Sequence, residues 1–411
     1  MQRLVLLFLL VGLLWPSTGR SQGPTPPGPT GLPRLLTIEW KEGPEYPLGI
    51  QDSVMGILHD NLVSAGGFTR HPHDVVARHP DAFGGETSGF TRIGFALPLA
   101  PLGTEWRRIA DLPGPPRQGA AMAVVGNELY TFGGFSYTAP WTHRDVCRLR
   151  RRNGQWAWET LPYPLPWPLC ESGVAVLGRK IYLAGGADYY TAPGAAAQDF
   201  HSEQGREGQP IGRALLMLDT ENLARGWQRL PDRPGVGTFD CGVAAVRGRI
   251  YVMGGVFAPA GSRKPQYYNA VDAWSYDPRT QNWSRLADLP DGSNRRGIGV
   301  LDRYVLLVAG YKYRYTWRVD GTRRDIYTAE ERARDWRKFF EKTVLVYDTR
   351  TRRLGTADPL LDATSWPMLA ASENRIYSLG GEGGARLWHP ATLQIGTVVG
   401  PVREQPGPGG P

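Results

Sequence analysis

The chain has 411 residues, of which 41% are hydrophobic, 11% aromatic and 21% charged, with 52 glycines and 35 prolines. This composition excludes a coiled coil, a collagen-like chain and wholesale disorder, because the aromatic residues can form a large core and frequent Gly and Pro interrupt long helices. The net charge of +8 is interspersed with acidic residues, and three cysteines without a CxxC pair exclude a disulfide scaffold or a zinc finger.

The N-terminus has the layout of a secretory signal peptide. Arg3 precedes an apolar run from Leu4 to Trp15, and small residues follow at positions suited to cleavage. The run is shorter than the roughly 20 residues of a spanning helix, so we expect export to the periplasm or cell exterior and no permanent membrane span. An uncleaved signal anchor is the alternative. We assign residues 1–21 to the signal peptide, 22–34 to a Gly/Pro-rich linker and 401–411 to a flexible tail.

A repeat of short apolar runs dominates the rest of the chain. Each run ends in a glycine pair, follows a strand of small residues, and in most units precedes a third strand and a Trp. Four strands per unit at this period are typical of propeller blades. The six runs are Leu62–Gly67, Leu129–Gly134, Ile181–Gly186, Ile250–Gly255, Val305–Gly310 and Ile376–Gly381.

These residues resemble the kelch repeat, whose pattern is a glycine pair, then a Tyr, then a Trp. The resemblance implies an all-β, six-bladed kelch β-propeller over residues 35–400. Two units depart from the pattern: Ala309-Gly310 replaces one glycine pair, and Ile395 stands where the sixth unit should have its Trp. Either Leu36–Trp40 or residues 393–399 complete the last blade, and the sequence leaves both open.

Long insertions follow the glycine pairs, so we expect them all on one face of the disc. They contain Asp188–Tyr190, Lys264–Tyr268 and Tyr311–Arg318, and the alternation in Tyr311–Arg318 predicts a strand. Thr328–Glu341 is predicted to be a helix with a capping box. Insertions on a single face indicate a binding face, although loops without a role are the alternative. Basic and aromatic residues together can stack on single-stranded nucleic acid, but the expected export argues against a nucleic-acid partner.

Counting back from each glycine pair gives one equivalent position at the entrance of the central funnel. It is occupied by charged residues in four units and by Trp in one, and Arg117 and Arg296 lie close by. Arginines bind carboxylates, carboxylates accept hydroxyl protons and aromatic faces stack on sugar rings, so the position suits a polar ligand. Solvated charges without a role are the alternative. The six residues are Asp52, Gly119, Glu171, Asp240, Arg295 and Trp366.

A metal or redox centre is the weaker interpretation. His71 and His73 lie two residues apart in a loop, with His79 nearby, and loop histidines are more often solvated. Galactose oxidase also has a kelch-type propeller, and resemblance to that group would imply a copper site with histidines and a Cys–Tyr thioether. No funnel position holds a histidine, so we expect no metal and no cofactor. Cys170 and Cys241 are candidates for a disulfide, with Cys147 free, and the connectivity stays open.

Gly114–Arg117 and the long fifth-blade insertion resemble the exported bacterial sialic acid mutarotase (N-acetylneuraminate epimerase) family. That resemblance implies interconversion of sugar anomers, with a glutamate after a glycine pair and an arginine a few residues on. The fourth blade departs from this pattern with Val256, whereas the sixth blade has Glu382 and Arg386.

We therefore expect an exported kelch propeller that binds a polar ligand, a carbohydrate or acidic sugar, in its central funnel. Whether it is an enzyme stays open: a mutarotase needs an acid or base from Glu382, Glu171 or Asp240. A propeller that binds a protein partner through its tyrosine-rich loops is the second alternative. The residues predicted to bind the ligand are Arg117, Glu171, Asp240, Arg295, Arg296, Trp366 and Arg386.

Overall fold

Six antiparallel four-stranded sheets surround one axis, and each sheet is a propeller blade. The computed structural model describes residues 31–69, 89–195, 197–259, 267–313, 315–317, 323–325, 340–383 and 390–402. The prediction of an all-β, six-bladed kelch propeller is confirmed. The predicted signal peptide and most of the linker and tail lie outside the described residues.

The blades follow one another along the chain, except that the first strand, β1 (Leu36–Glu42), belongs to the last blade. Blade 1 contains β2 (Val54–Leu58), β3 (Asn61–Ala65), β4 (Gly94–Pro98) and β5 (Arg107–Ile109). Blade 2 contains β6 (Ala121–Val125), β7 (Glu128–Phe132), β8 (Val146–Arg152) and β9 (Gln155–Leu161). Blade 3 contains β10 (Gly173–Leu177), β11 (Lys180–Ala184), β14 (Leu215–Asp219) and β15 (Gln228–Leu230).

The remaining blades repeat this order. Blade 4 contains β16 (Gly242–Val246), β17 (Arg249–Met253), β20 (Ala273–Asp277) and β21 (Asn282–Arg285). Blade 5 contains β22 (Arg296–Val300), β23 (Tyr304–Val308), β26 (Val344–Asp348) and β27 (Arg353–Ala357). Blade 6 contains β28 (Met368–Ser372), β29 (Arg375–Leu379), β30 (Leu393–Pro401) and β1.

The insertions form two small sheets. A separate 3-10 turn, Leu223–Arg225, lies between the two outer strands of blade 3. One sheet pairs β12 (Asp188–Tyr190) with β13 (Asp199–His201). The other contains β18 (Val256–Phe257), β19 (Tyr268–Ala270), β24 (Tyr315–Trp317) and β25 (Arg323–Asp325). The strand predicted within Tyr311–Arg318 is thus confirmed. Of the predicted helix, residues 328–339 lie outside the described residues, and Phe340 and Glu341 form β-bridges instead.

The two faces of the disc differ because antiparallel strands alternate in direction. We call the face that carries the glycine pairs and the insertions the loop face. The opposite face carries the hairpin turns between the two innermost strands of each blade and the turns between the two outer strands, and we call it the turn face. Five inner hairpins have two-residue turns, and the blade 5 hairpin has the three-residue turn Leu301–Arg303.

Ring closure uses both ends of the propeller sequence. β1 pairs with β30 from Leu36 opposite Pro401 to Glu42 opposite Gln394, so β30 is the third strand of blade 6 and β1 the fourth. The Trp expected at Ile395 is therefore supplied by Trp40, whose indole N–H donates to Asp358 O in blade 5 at 3.0 Å. Trp283 makes the equivalent bond from blade 4 to Pro231 O at 2.9 Å.

Separate hydrophobic clusters fill the spaces between neighbouring blades. Between blades 6 and 1, Tyr46 packs edge-on against Phe95 and Trp106, with ring centroids 5.3 and 4.8 Å apart. Burial of each such side chain stabilises the fold by roughly 1.5–3 kcal/mol. Stability is thus distributed around the ring, with one apolar interface for each pair of blades.

The first residue of each glycine pair adopts a left-handed conformation where the next blade approaches most closely. At Gly133 φ is +61°, and an added Cβ would lie 2.0 Å from Leu169 O. We expect Gly133→Ala to lower the free energy of unfolding by roughly 2–4 kcal/mol, because left-handed strain and overpacking add. Gly178 has a nearly identical φ of +59° but open space around it, so Gly178→Ala should cost only about 1 kcal/mol. If chemical denaturation gives equal decreases in the free energy of unfolding for the two variants, the contact with Leu169 does not contribute to the cost.

Candidate functional site

One arginine lies at the axis of the propeller, held by carboxylates from three blades. Arg296 begins β22, and its Nη2 is 2.7 Å from Asp52 Oδ1 and 3.1 Å from Glu171 Oε2. Its Nη1 is 3.3 Å from Asp240 Oδ1. These residues are far apart in sequence but meet at the axis, because Arg296 begins an innermost strand and each carboxylate residue lies two positions before one. We call these four residues the axial cluster.

A shared backbone conformation aims the carboxylates at the axis. Asp52, Glu171 and Asp240 have φ values of +49°, +53° and +50°, in the left-handed region that side chains other than Gly enter at a cost. Their backbones also form a chain through Gly119: Gly119 N donates to Asp52 O, Glu171 N to Gly119 O, and Asp240 N to Glu171 O, at 2.9–3.2 Å. The repeat thus places equivalent residues at equivalent angles around the axis.

The carboxylates are buried, although the sequence predicted a water-filled entrance. Asp52, Glu171 and Asp240 are 6%, 4% and 1% exposed. An aromatic layer from the insertions and rim segments lies on the loop-face side, and its rings contact one another at centroid distances of 5.1–6.2 Å. The layer contains Phe90, Phe135, Phe200, Phe239, Tyr267 and Tyr313.

Burial changes the protonation of the axial cluster. It raises the pKa of Asp52 to about 7, although the charge of Arg296 opposes the rise. Burial and the neighbouring charges of Asp240 and Asp52 also raise the pKa of Glu171 well above its usual range. The guanidinium of Arg296 stays charged, because its carboxylate neighbours raise its pKa. Near neutral pH the cluster therefore holds protonated carboxyl groups next to a permanent cation.

Trp366 joins the axial cluster from blade 6. Its indole N–H donates to Asp240 Oδ2 at 2.7 Å, across the axis from its own blade. Its ring is half-buried and stacks on Tyr311 with centroids 6.4 Å apart and planes 13° from parallel. The indole thus orients the Asp240 carboxylate.

A cavity of about 600 Å³ runs along the axis. Asp52 and Arg296 lie at its loop-face end, and its wall is made of small and apolar residues of the six innermost strands. Exposure rises along two of these strands, from buried Ser53 to half-buried Ile57 in blade 1 and from buried Pro367 to exposed Ser372 in blade 6, whereas β22 runs from half-buried Arg296 to buried Val300. The cavity extends from the axial cluster towards the turn-face ends of the innermost strands.

Arg295 lies away from the cavity, contrary to the expected position. It is 2% exposed and pairs with Asp291 at 2.9 Å and with Glu341. Lys312 joins the same buried ion cluster, 2.6 Å from each of these carboxylates. The three-residue turn of blade 5 explains the difference, because it shifts the count back from the glycine pair by one residue. Strand pairing makes Asn294 the equivalent of Asp52.

Of the other residues predicted to bind a ligand or act in catalysis, the described ones also lie outside the cavity wall, namely Arg117, Glu171, Asp240, Trp366 and Glu382. Arg117 is 3% exposed, pairs with Asp145 and donates to Gly133 O at 3.1 Å, so it braces the glycine pair of blade 2. Glu382 is half-buried and forms a β-bridge with Ser365, and its charge contributes to the raised pKa of Asp52. Arg386 lies outside the described residues.

The cysteines are free thiols, and all three are buried. The candidate disulfide does not form: Cys170 Sγ lies 3.2 Å from Ala187 O and Cys241 Sγ 3.5 Å from Ala184 O. His71, His73 and His79 lie outside the described residues. In the described part of the chain, no group of three or more His, Cys, Asp or Glu side chains is arranged to hold a metal ion. That part also contains no helix long and apolar enough to cross a membrane.

Comparison with known proteins supports the repeat assignment. A family model described as the Kelch motif matches residues 237–290. Kelch-like protein 15 of Danio rerio is 28% identical over 214 residues, which are 52% of this chain and 33% of that protein. N-acetylneuraminate epimerase of Yersinia enterocolitica is 37% identical over 76 residues, 18% of this chain and 19% of that protein.

A solved structure has the same fold. The chain titled "Structure of YjhT" aligns with a TM-score of 0.60 and 15% identity, covering 87% of this chain and 96% of that chain. The strand order, the glycine pairs and these matches define a six-bladed β-propeller. The matched Kelch motif corresponds to blade 4. The chain spans less than two thirds of the length of the two curated relatives named above.

The raised pKa of Asp52 gives a pH dependence with a definite sign. The folded protein holds the proton up to about pH 7, whereas the unfolded chain releases it near pH 4. The contribution of Asp52 to stability is therefore complete below about pH 4 and is lost as pH rises to about 7. We expect the free energy of unfolding of Asp52→Asn to rise relative to the unsubstituted protein across this window, in urea titrations at stepped pH.

Asp145 provides a control of opposite sign. Arg117 lowers the pKa of Asp145, so its contribution to stability is present above the unfolded pKa and is lost as pH falls. The cost of Asp145→Asn should therefore diminish on acidification below about pH 4. A pH-independent difference for Asp52→Asn would contradict the raised pKa.

Proposed function

We propose that this propeller binds a polar ligand that carries hydroxyl and carboxylate groups, a carbohydrate or acidic sugar, in the axial cavity. The observation that supports this most strongly is the position of Arg296. Its side chain is 22% exposed at the loop-face end of a cavity of about 600 Å³, while its carboxylate partners are almost fully buried. This volume falls within the range of small-molecule pockets.

The axial cluster offers both kinds of polar contact that such a ligand needs. A guanidinium can bind a ligand carboxylate with two parallel hydrogen bonds, and Asp52, which lines the cavity together with Arg296, can accept bonds from hydroxyl groups. An anion that binds Arg296 competes with the carboxylates of the axial cluster. Because burial already favours the protonated forms of Asp52 and Glu171, a displaced carboxylate can take up a proton. Affinity for an acidic ligand should therefore rise as pH falls below about 7.

Export completes this proposal. The apolar run Leu4–Trp15 and the small residues after it support cleavage near Gly19 or Ser21. Mass spectrometry of the N-terminus after expression in a bacterial host would check this: a mature chain that still begins at Met1 would contradict cleavage.

Ligand-observed NMR with a panel of free sugars, sialic acid included, tests binding. We expect one of these sugars to show line broadening on binding. Arg296→Lys should weaken the affinity for that sugar by about tenfold or more, because an ammonium keeps the charge but loses the bidentate contact. Arg233→Lys is the matched control. Arg233, like Arg296, pairs with a buried carboxylate, Asp272, at 2.9 Å, but it is only 3% exposed and lies outside the cavity wall.

Equal weakening in both variants would point to general destabilisation and contradict the proposed site. Broadening that neither variant changes would place the ligand elsewhere. If no sugar broadens, a protein partner that contacts the exposed Tyr137 and its neighbouring rings becomes the better explanation.

Catalysis of anomer exchange is the second candidate, and the protonation of the axial cluster favours it. Exchange requires one group to remove the anomeric hydroxyl proton and another to donate a proton to the ring oxygen. The Asp52 carboxyl has a pKa of about 7, so it can act in both directions near neutral pH. The sequence similarity to proteins named N-acetylneuraminate epimerase gives further support.

Exchange spectroscopy on the same sugars separates turnover from binding. We expect Asp52→Asn to slow the catalysed exchange by at least about a hundredfold while changing line broadening little, since Asn keeps the size but cannot transfer the proton. Glu171→Gln tests the neighbouring acid in the same way. Broadening without accelerated exchange in the unsubstituted protein would establish a binding protein without this activity.

A further inference from the structure

The turn face carries an excess of exposed basic side chains. They occur in every blade from the second to the sixth, whereas fewer exposed acidic residues share the face, namely Asp60, Glu105, Glu221, Asp302 and Glu373. The basic positions include the pairs Arg151–Arg152 and Arg179–Lys180, together with Arg247, Arg279, Arg350, Arg352, Arg353 and Arg375. The face therefore presents a net positive charge to solvent.

Several of these charges have no ion-pair partner among the residues that the structure describes. The guanidinium groups of Arg152, Arg247, Arg350 and Arg375 make no ion pair within 4 Å with any carboxylate of the described residues. By contrast, Arg303 on the same face is paired with Asp348 at 2.6 Å. Unpaired arginines that keep their charge at all physiological pH values are available to an external anion.

The shape of the face limits the kind of anion that fits. The inner hairpins around the axis end in turns of two or three residues. The longer turns of this face, residues 99–106 and 220–227, connect outer strands of blades 1 and 3. The arginines belong to five blades arranged around the axis and therefore spread over the disc. A flat array of separate charges matches an extended anionic surface better than a single strand of polymer or one compact ligand.

We infer that the turn face docks on a membrane surface that contains anionic phospholipids. Lipid phosphates accept bidentate bonds from arginine, and each basic residue near such a surface adds to the attraction within a Debye length. The axial cavity extends from the axial cluster towards this face. The propeller then lies with its disc parallel to the membrane and its insertions directed away from it.

Vesicle co-sedimentation of the full chain tests the inference. We expect binding to vesicles that contain phosphatidylglycerol, little binding to pure phosphatidylcholine, and loss of binding as salt is raised. The triple variant Arg152→Glu, Arg247→Glu, Arg350→Glu should weaken binding at least about tenfold. The apolar N-terminal run, proposed above to be removed by cleavage, has the same sequence in every variant, so a difference between variants does not come from it.

A second triple variant changes the net charge equally but on the other face. Lys41→Glu, Arg213→Glu, Lys342→Glu alters three exposed residues at loop-face strand ends. Binding that survives in this control but not in the first variant supports the inference, and thermal unfolding of both shows that they are folded. Equal loss in both variants, equal binding to the two kinds of vesicle, or binding to soluble dextran sulfate but not to vesicles would overturn it.

Discussion

The close approach of the six innermost strands is the constraint on which the other features of this protein depend. A Cβ added to Gly173 would lie 2.1 Å from Val243 of the next blade, and one added to Gly242 would lie 2.3 Å from Leu307. Such contacts restrict the axis to glycine and other small residues. The large side chains move outward, where tyrosines and tryptophans fill the spaces between blades. Convergence of the strands leaves a cavity at the centre, with the axial cluster at one end.

The axial cluster follows from that geometry and has an energetic cost. Only the ends of the innermost strands have room for long polar side chains, so Arg296 and the three carboxylates meet there. Burying these charges is costly unless they are paired, and the pairing is incomplete because acidic groups outnumber the guanidinium. Protonation of Asp52 and Glu171 resolves the imbalance. The same features that make the cluster costly give it groups able to exchange protons near neutral pH.

The repeat, the number of blades and the loop face could be predicted from the sequence, since the glycine pairs mark the same strand end in each unit. The side-chain environment could not. One additional residue in the turn Leu301–Arg303 makes Asn294, instead of Arg295, the equivalent of Asp52, and spacing counted across that turn does not detect it. The burial of Glu171 and Asp240 depends on rings contributed by insertions far away in sequence. The sequence left Leu36–Trp40 and residues 393–399 as alternatives for completing blade 6, and the structure uses both, with Trp40 on the last strand.

Blade 6 also governs when the protein can fold. Its four strands come from opposite ends of the chain, so during synthesis β1 has no partner until β30 is made. The first five blades emerge with an unpaired strand at one edge and an unfilled interface at each open end. Pairing over such a sequence separation is slow, and exposed strand edges favour aggregation. Closure of the ring is therefore the last step of folding that the chain can complete, because it has to wait until β30 is available to pair with β1.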